Sequence, residues 1–268
     1  MEPVLGKLIA VGRTAEVYAL NEDRVIKLFY DWCDPQWVQH EIDVANLIST
    51  LPIATPKILD SVEIQGRKGI IYQRMDGPSL LKLTTKKPWR VIHFARLFAE
   101  LQTKIHINIV NELPSQRTAL INVIKQLESL TPEQKTNLLD VLDELPDDST
   151  LCHLDFHPDQ VLITDNGPAV IDWMTAKQGH PLCDVARTCV LLKFGQVPYG
   201  SWVTHMLINS WRKIFYRTYI RYYLKLNPGV SKEMLDKWMM PVAAARLNET
   251  IPGEREPILR FIQSHINK

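Results

Sequence analysis

The sequence predicts an α+β fold with two lobes, an antiparallel sheet lobe followed by a larger and mostly helical lobe. Roughly the first seventy residues are rich in short β-branched segments. The pair Gly77-Pro78 then interrupts the chain, and helical spacing of apolar residues dominates the rest. We therefore expect an N-terminal lobe at residues 1–76 and a C-terminal lobe at residues 77–268.

The N-terminal lobe is predicted to be a sheet with one main helix. Strand-like segments lie at residues 4–11, 16–20, 24–29, 57–64 and 69–73. Between the third and fourth segments, residues 35–50 carry apolar side chains at the spacing of one helix face. The predicted order is three strands, one helix and two strands, with short turns typical of antiparallel pairs.

The C-terminal lobe is predicted to be helical apart from one hairpin. Helices are expected at residues 88–106 and 115–130, from Thr131, where a capping signal precedes Pro132, and again from Leu182. Residues 161–164 and 169–171 have the character of strands on either side of a turn that ends at Gly167. Asp172 therefore lies at a strand end, just beyond this hairpin.

The composition is that of an ordinary globular protein that needs no disulfide or structural metal. Of 268 residues, 46% are hydrophobic and 23% are charged, which is enough apolar material for a substantial core. The 31 basic and 30 acidic side chains give a net charge of +1. Charge therefore gives no argument for nucleic acid or an anionic membrane as the main partner. We expect neither, and a monomer or a homodimer.

The cysteines and the first residues predict the compartment. The four cysteines form no C-x-x-C pair, so reduced and mostly buried thiols are expected. The first residues lack a basic segment followed by an apolar run, and no stretch approaches the roughly 18 apolar residues of a membrane helix. These features predict a cytoplasmic protein.

The most informative segment runs from residue 151 to residue 173. His153-x-Asp155 is followed five residues later by Gln160 and then by a strand, which matches the form of the kinase catalytic loop, H-x-D-x-x-x-x-N. Phosphoryl transfer needs a carboxylate near the attacking hydroxyl and oxygen ligands for Mg²⁺. Asp155 suits the first role. Asp172, twelve residues after Gln160, suits the second together with the Gln160 amide oxygen.

Three pieces of sequence resemble the catalytic and metal-binding block of the aminoglycoside phosphotransferase and choline kinase family. They are His153-Leu-Asp-Phe-His-Pro-Asp159, Val170-Ile-Asp172-Trp and Pro181-Leu-Cys-Asp184-Val-Ala, in the family's order and approximate spacing. The resemblance implies a protein-kinase-like fold and a kinase that uses ATP or GTP with Mg²⁺. It also implies a small-molecule hydroxyl as acceptor. Family members act on aminoglycosides, macrolides, choline, homoserine, methylthioribose and related metabolites, and a fold alone cannot choose among these.

The resemblance also implies roles for single residues in the second half of the chain. Asp155 would be the catalytic base and Asp172 the main magnesium ligand, with Gln160 as the second. His153 would support the loop, and Asp184 would brace the C-terminal lobe.

The N-terminal lobe fits the same family less specifically. Lys27 would contact the α- and β-phosphates, and Glu41, fourteen residues later on the predicted helix, would pair with it. Gly12 would belong to the turn that covers the phosphates. Gln73 and Met75 would lie in the hinge between the lobes, whose backbone would hydrogen-bond to the adenine ring.

Two alternatives remain open from the sequence. Gln160 stands where the family has Asn, and its additional methylene moves the amide by roughly 1–1.5 Å. This departure allows a catalytically impaired nucleotide-binding pseudokinase with a regulatory role. A zinc-dependent hydrolase could instead use His153, Asp155 and His157 with Asp172 or His180, although that hypothesis leaves Lys27 and Glu41 without a role.

Overall fold

A computed structural model describes residues 4–195 and 202–266, without the side chains of residues 202–207 and 266. The chain divides into two compact units. One comprises the described residues up to Leu83 together with Asp159–Met174, and the other comprises Thr84–Pro158 with the described residues from Thr175 onward. Because residues 159–174 group with the N-terminal segment, the units cannot be separated at a single position. The predicted lobe boundary after residue 76 remains a prediction.

The first unit is built on a five-stranded antiparallel sheet. Its strands are β1 (Leu8–Val11), β2 (Ala15–Ala19), β3 (Arg24–Phe29), β4 (Ile58–Ile64) and β5 (Arg67–Gln73). They are arranged in the order β1-β2-β3-β5-β4, with β3 in the centre. The prediction of an N-terminal antiparallel sheet is confirmed, and each predicted strand is present within a few residues.

The helix of the first unit, α1 (Pro35–Ser49), begins and buries one face as the sequence predicts. The Asp34 side chain accepts a hydrogen bond from the Gln36 amide at 2.8 Å, and Pro35 occupies the first turn. Its buried residues are Val38, Glu41, Val44, Ala45 and Ile48. Four of these five are apolar, so the acidic Glu41 is placed among core side chains by the register of the helix.

The remaining segment of the first unit is the predicted hairpin. Its strands β7 (Val161–Thr164) and β8 (Gly167–Val170) are antiparallel, with Val161 opposite Val170. Gly167 has φ of 106°, a conformation that suits glycine. The Val170 amide donates to the Ala54 carbonyl at 2.9 Å, which ties the hairpin to the chain between α1 and β4.

The second unit is mostly helical. Its long helices are α3 (Val91–His106), α4 (Gln116–Gln126), α5 (Pro132–Glu144), α6 (Pro181–Phe194), α7 (Trp202–Leu226), α8 (Lys232–Arg246) and α9 (Arg255–Ile266); a short helix α2 (Leu80–Lys86) precedes them. Phe98 on α3 stacks on Phe156 with ring centroids 4.2 Å apart and also packs on Phe215 of α7. This aromatic group forms the core beneath the loop at residues 153–157.

Two features of the second unit differ from the sequence prediction. The helix expected at residues 115–130 ends at Gln126, because the chain must leave the helical conformation to enter the Thr131 cap and Pro132 of α5. A two-stranded ladder of β6 (Thr150–Cys152) and β9 (Lys177–Gly179) was not predicted. Strands of three residues carry too little periodicity to be recognised.

The cysteines and the helices agree with the sequence expectations. All four cysteines are buried and unpaired. Among the described helices, none combines the length and apolar character needed to cross a bilayer.

Candidate active site

Lys27 and Glu41 form the central ion pair of the first unit. Lys27 lies in the middle of the central strand, between Val17 and Ile70 on its neighbours. Its Nζ is 2.8 and 2.9 Å from the two carboxylate oxygens of Glu41. The pairing of Lys27 with Glu41 that the family resemblance implies is therefore present in the structure.

Tyr72 completes this pair and was missed from the sequence. Its hydroxyl donates to Glu41 Oε1 at 2.8 Å. The pKa of Tyr72 is raised, mainly because the side chain is buried and also because the Glu41 carboxylate is close. The hydroxyl therefore stays protonated and remains a donor. The available signal was the sheet register: Tyr72 is two residues from Ile70, which lies opposite Lys27, so the Tyr72 and Lys27 side chains share a face.

Lys27 also reaches Asp172. Its Nζ is 3.0 Å from Asp172 Oδ1, and the Asp172 side chain is 41% exposed whereas that of Glu41 is 4% exposed. Burial lowers the pKa of Lys27, but the Glu41 and Asp172 carboxylates more than offset it and raise the pKa above its ordinary value. Lys27 is therefore a fixed cation, held from one side by a buried carboxylate and from the other by an accessible one.

The hairpin explains how Asp172 is positioned. The Ile171 amide donates to the Gln160 carbonyl at 3.0 Å, which extends the β7–β8 pairing to the residue before Asp172. Trp173 follows, buried, with its indole donating to Thr55 Oγ1 at 3.1 Å and to the Val170 carbonyl at 3.2 Å. Between these anchors Asp172 has φ of 63°, a left-handed conformation uncommon for a residue other than glycine.

Gln160 and Asp172 lie together at the open end of the hairpin. The Gln160 Nε2 donates to Asp172 Oδ2 at 3.3 Å. Mg²⁺ is usually bound by one or two carboxylates together with phosphate oxygens and water, so an accessible carboxylate beside an amide fits this ion. Among the described residues, no group of three or more His, Cys, Asp or Glu side chains forms a metal site. The zinc alternative therefore gains no support.

In the second unit, the loop that carries Asp155 is shaped by its own histidine. His153 is fully buried, and its Nδ1 accepts a hydrogen bond from the Asp155 amide at 3.3 Å. Leu154, between them, has φ of 62°. The Thr175 hydroxyl donates to the His153 carbonyl at 2.8 Å. The backbone around Asp155 is thus held by two side chains, those of His153 and Thr175.

Asp184, near the start of α6, is the main anchor of this loop. Its carboxylate accepts the His153 amide at 3.1 Å and the Leu154 amide at 2.6 Å. It also accepts from His106 at 3.0 Å and from Gln102 at 3.1 Å, both on α3. Burial raises the pKa of Asp184, but these donors, His106 first, more than offset it and hold the pKa below its ordinary value.

The Asp155 carboxylate lies among basic groups of the same unit. Its Oδ2 is 3.7 Å from His157 Nε2. Burial raises the pKa of Asp155, but His157, followed by Arg187 and His153, more than offsets it, and the pKa is below its ordinary value. Asp155 is therefore ionised at neutral pH, as a proton acceptor must be.

Arg187 is a further residue that sequence reasoning missed. Its Nε donates to the Leu154 carbonyl at 3.1 Å, and its other end pairs with Glu249. Glu249 in turn pairs with Arg246, which holds Glu254 at 2.7 Å. Because Glu249 is 62 residues from Arg187, no local pattern could have indicated this pairing.

The three nucleotide-binding residues predicted with least specificity have simple structural surroundings. The Gly12 amide donates to the Ala15 carbonyl at 2.8 Å, and a Cβ at Gly12 would lie 3.2 Å from that oxygen. The Gln73 amide already donates to the Lys57 carbonyl at 2.8 Å. Met75, by contrast, makes no backbone hydrogen bond to another described residue, so its N–H and C=O are available to a ligand.

The predicted site residues thus fall into two sets. Lys27, Glu41, Gln160 and Asp172 are brought together in the first unit, and Asp155 lies in the second. Each predicted role remains a prediction, whereas the contacts that hold the side chains are present.

Solved structures of similar fold include several antibiotic kinases. A thermostable mutant of aminoglycoside phosphotransferase APH(4)-Ia, in a ternary complex with ADP and hygromycin B, is 15% identical with a TM-score of 0.64 over 97% of this chain and 91% of that chain. Amicoumacin kinase hAmiN, in complex with AMP-PNP, Ca²⁺ and Ami, is 14% identical with a TM-score of 0.61 over 99% and 89%. At these identities the likeness establishes the kinase-like fold, which confirms the predicted fold class.

Sequence comparison supplies the family itself. None of the curated proteins compared with the chain matches it. The model of the phosphotransferase enzyme family (APH) matches residues 6–228, which include Lys27, Asp155 and Asp172. The resemblance seen in the three motifs is confirmed, and so is the prediction of a phosphotransferase: the chain belongs to the phosphotransferase enzyme family.

Proposed function

We propose that this phosphotransferase moves the γ-phosphoryl group of a nucleoside triphosphate to a hydroxyl of a small molecule. The observation that carries the proposal is the position of Lys27 Nζ, between both oxygens of buried Glu41 and one oxygen of accessible Asp172. A lysine held by a helix glutamate beside an accessible carboxylate is the arrangement that kinases use to bind phosphates.

In this proposal Lys27 neutralises charge on the α- and β-phosphates, and Glu41 aligns it. Tyr72 fixes the Glu41 carboxylate, so less conformational freedom is lost when the nucleotide binds. The turn at Gly12 covers the phosphates. At the hinge, the free backbone groups of Met75 suit the adenine or guanine edge better than the Gln73 amide, which is already bonded to Lys57.

Asp172 and the amide oxygen of Gln160 would hold Mg²⁺, which supplies positive charge to the phosphate oxygens. Asp172 already accepts from Lys27 through one oxygen and from Gln160 through the other. Rotation of the Gln160 side-chain amide about its Cγ–Cδ bond would interchange the positions of the nitrogen and the oxygen. The oxygen would then face the metal position, where it could act as a ligand.

Asp155 would orient the acceptor hydroxyl and take its proton as the oxygen attacks the γ-phosphorus. The new O–P bond forms, the bond to the β-phosphate oxygen breaks, and a nucleoside diphosphate leaves. The lowered pKa of Asp155 keeps it ionised to receive this proton. His157 lies beside the carboxylate, and Arg187 holds the preceding residue through the Leu154 carbonyl.

The acceptor class is an aminoglycoside-like antibiotic or a metabolite with a free hydroxyl. Structural neighbours were solved with hygromycin B, with kanamycin and, for amicoumacin kinase hAmiN, with Ami, which supports a polyhydroxylated acceptor. Neighbours were also solved with ADP and with GDP, so either purine nucleotide is compatible with the fold.

The proposal is tested by a screen for nucleoside diphosphate release. The purified chain is incubated with Mg²⁺ and ATP or GTP, and with hydroxyl-bearing antibiotics and metabolites one at a time. We expect acceptor-dependent release that is abolished by Asp155→Ala, while Mg·ATP binding by that variant is retained. Equal turnover by the variant would show that Asp155 is not the base.

A second candidate function is a catalytically impaired pseudokinase that binds nucleotide and regulates a partner. The observation in its favour is Gln160, which stands where the family has Asn. In a reaction that depends on positioning, a ligand displaced by ~1 Å can cost about 10²-fold in rate. If Gln160→Asn raises turnover from near zero by that factor, the native chain is the impaired form. If the native chain turns over measurably and Gln160→Asn is no faster, the native loop is the active one.

A further inference from the structure

One face of α7 carries four cations in a row. Lys213, Arg217, Arg221 and Lys225 are all exposed and are spaced four residues apart, so they lie on successive turns along roughly 18 Å of helix. The whole sequence of α7 (Trp202–Leu226) contains no acidic residue. We call these four residues, together with Ile214, the α7 basic face.

The basic face is not neutralised by the rest of the described chain. None of its four cations pairs with an Asp or Glu side chain among the described residues. Some helix cations elsewhere are paired, as Lys232 is with Asp236 four residues later on α8. Like charges four residues apart destabilise a helix by roughly 0.2–0.5 kcal/mol for each pair. Lys225 Nζ contacts the Tyr222 ring at 5.9 Å, which leaves its charge unneutralised. A row of like charges that opposes helix stability and forms no ion pair within the described chain points to a partner outside the chain.

Arg212, the neighbouring cation, shows the difference between a structural and an unpaired charge. It is partly buried and donates to the Leu192 carbonyl at 3.0 Å, so it closes the end of α6. Within the part of the chain that the structure describes, no side chain of the basic face donates to a backbone carbonyl in this way. Arg212 therefore has a structural role in the fold, whereas the four cations of the basic face are exposed at the surface.

An exposed apolar side chain lies within the row. Ile214 is 46% exposed, and at 100° per residue it projects between Arg221 and Lys225 when the helix is viewed down its axis. Single-stranded nucleic acid is held by stacking its bases on exposed aromatic side chains. The aromatic neighbour on this side of α7, Tyr222, is partly buried, and its ring already contacts Arg96 at 5.6 Å and Lys225 at 5.9 Å. Aliphatic side chains flanked by Lys and Arg are instead typical of helices that lie on an anionic bilayer.

We propose that the α7 basic face docks the protein on the surface of a membrane that contains anionic phospholipids. The four cations face the phosphate and headgroup layer, and Ile214 enters the boundary between headgroups and acyl chains. The balanced charge of the whole chain, +1, conceals this local excess. Docking is peripheral and does not depend on the phosphotransferase reaction.

The test uses the full chain and sedimentation with vesicles. Vesicles of phosphatidylcholine alone are compared with vesicles in which about a third of the lipid is phosphatidylglycerol, at low and high salt. We expect binding only to the anionic vesicles, and weaker binding at high salt because ionic screening shortens the range of the attraction. The double variant Arg217→Glu/Arg221→Glu should lower partitioning about thirtyfold or more, at roughly fivefold for each cation removed.

Two further variants make the result specific. Lys237→Glu/Arg260→Glu changes the net charge equally at exposed positions on α8 and α9 and should leave vesicle binding within about twofold of the native value if the face, and not net charge, is responsible. Ile214→Ser should weaken vesicle binding while leaving its salt dependence unchanged. Circular dichroism and Mg·ATP binding of each variant report whether it is folded.

Three outcomes would overturn the proposal. One is failure of the native chain to bind phosphatidylglycerol vesicles. Another is an equal loss in the control pair. The third is binding of homopolymeric RNA that depends on Arg217 and Arg221 without any vesicle binding, which would assign the face to nucleic acid.

Discussion

Asp172 in the first unit and Asp184 in the second are both carboxylates that accept several hydrogen bonds, yet they differ in accessibility. Asp172 is 41% exposed and is held by one lysine and one amide. Asp184 is fully buried and accepts from two side chains and two backbone amides. A carboxylate that must accept a ligand retains a solvent-facing side, whereas one that holds a loop has every oxygen occupied.

Removing Asp184 should have the largest effect of the substitutions considered, and it should act on folding stability. Asp184→Ala leaves the donors of His106, Gln102 and the loop backbone buried without an acceptor, so we expect a loss of about 3–5 kcal/mol in the free energy of unfolding. Urea denaturation followed by circular dichroism measures it. A loss below about 1 kcal/mol would mean that Asp184 is not the anchor of the loop.

Asp172→Ala should have the opposite effect: turnover should fall strongly while folding stability changes little. The side chain is exposed, and Lys27 keeps the buried Glu41 carboxylate as its partner when Asp172 is removed, so the free energy of unfolding should change by less than about 1 kcal/mol. Turnover should fall about 10²–10³-fold, because Asp172 would hold the Mg²⁺ that stabilises phosphoryl charge, and losing one such stabilising group usually costs this factor. Steady-state kinetics with an acceptor found by the screen measures this, and Asp236→Ala on exposed α8 is the control that should leave turnover intact.

The contribution of Asp184 to folding stability should depend on pH in the acid range. The folded pKa of Asp184 is depressed, so its contribution to stability is present above the unfolded value of about 3.9 and is lost as the pH falls below it, through the folded value. We expect the stability difference between the native chain and Asp184→Asn to narrow below about pH 4. A difference that stays constant down to about pH 2 would contradict the depressed pKa.

The smallest expected effect concerns Tyr72. Tyr72→Phe removes one hydrogen bond to Glu41, worth about 1 kcal/mol, and loosens the alignment of Lys27. We expect a fall of about fivefold in kcat/KM, mainly through a higher KM for the nucleotide. A variant indistinguishable from the native chain would show that Glu41 alone suffices to align Lys27.

The parts of this arrangement that are local in sequence were predictable. The spacing from Lys27 to Glu41 joins a strand to the next helix, and the hairpin at residues 161–170 places Gln160 near Asp172. Periodicity and turn residues describe such neighbours directly.

The parts that depend on distant partners were not predictable. His106 reaches Asp184 across 78 residues, and Arg187 reaches Glu249 across 62. Apolar spacing on α3 indicates that one face is buried, but not that His106 and Gln102 on that face will meet a carboxylate. The α7 basic face was equally hidden, because composition sums charges and does not locate them.

The grouping of residues 159–174 with the N-terminal segment limits how the protein can be dissected. The chain passes between the units after Leu83, after Pro158 and after Met174. A fragment that stops at residue 83 would keep Lys27 and Glu41 but lose Asp172, the hairpin and the Trp173 anchor. Recombination that exchanged the first unit between two such proteins would have to move two separate stretches of coding sequence together. Single-crossover chimeras and N-terminal fragments are therefore poor reagents for this enzyme, and point substitutions are the better route.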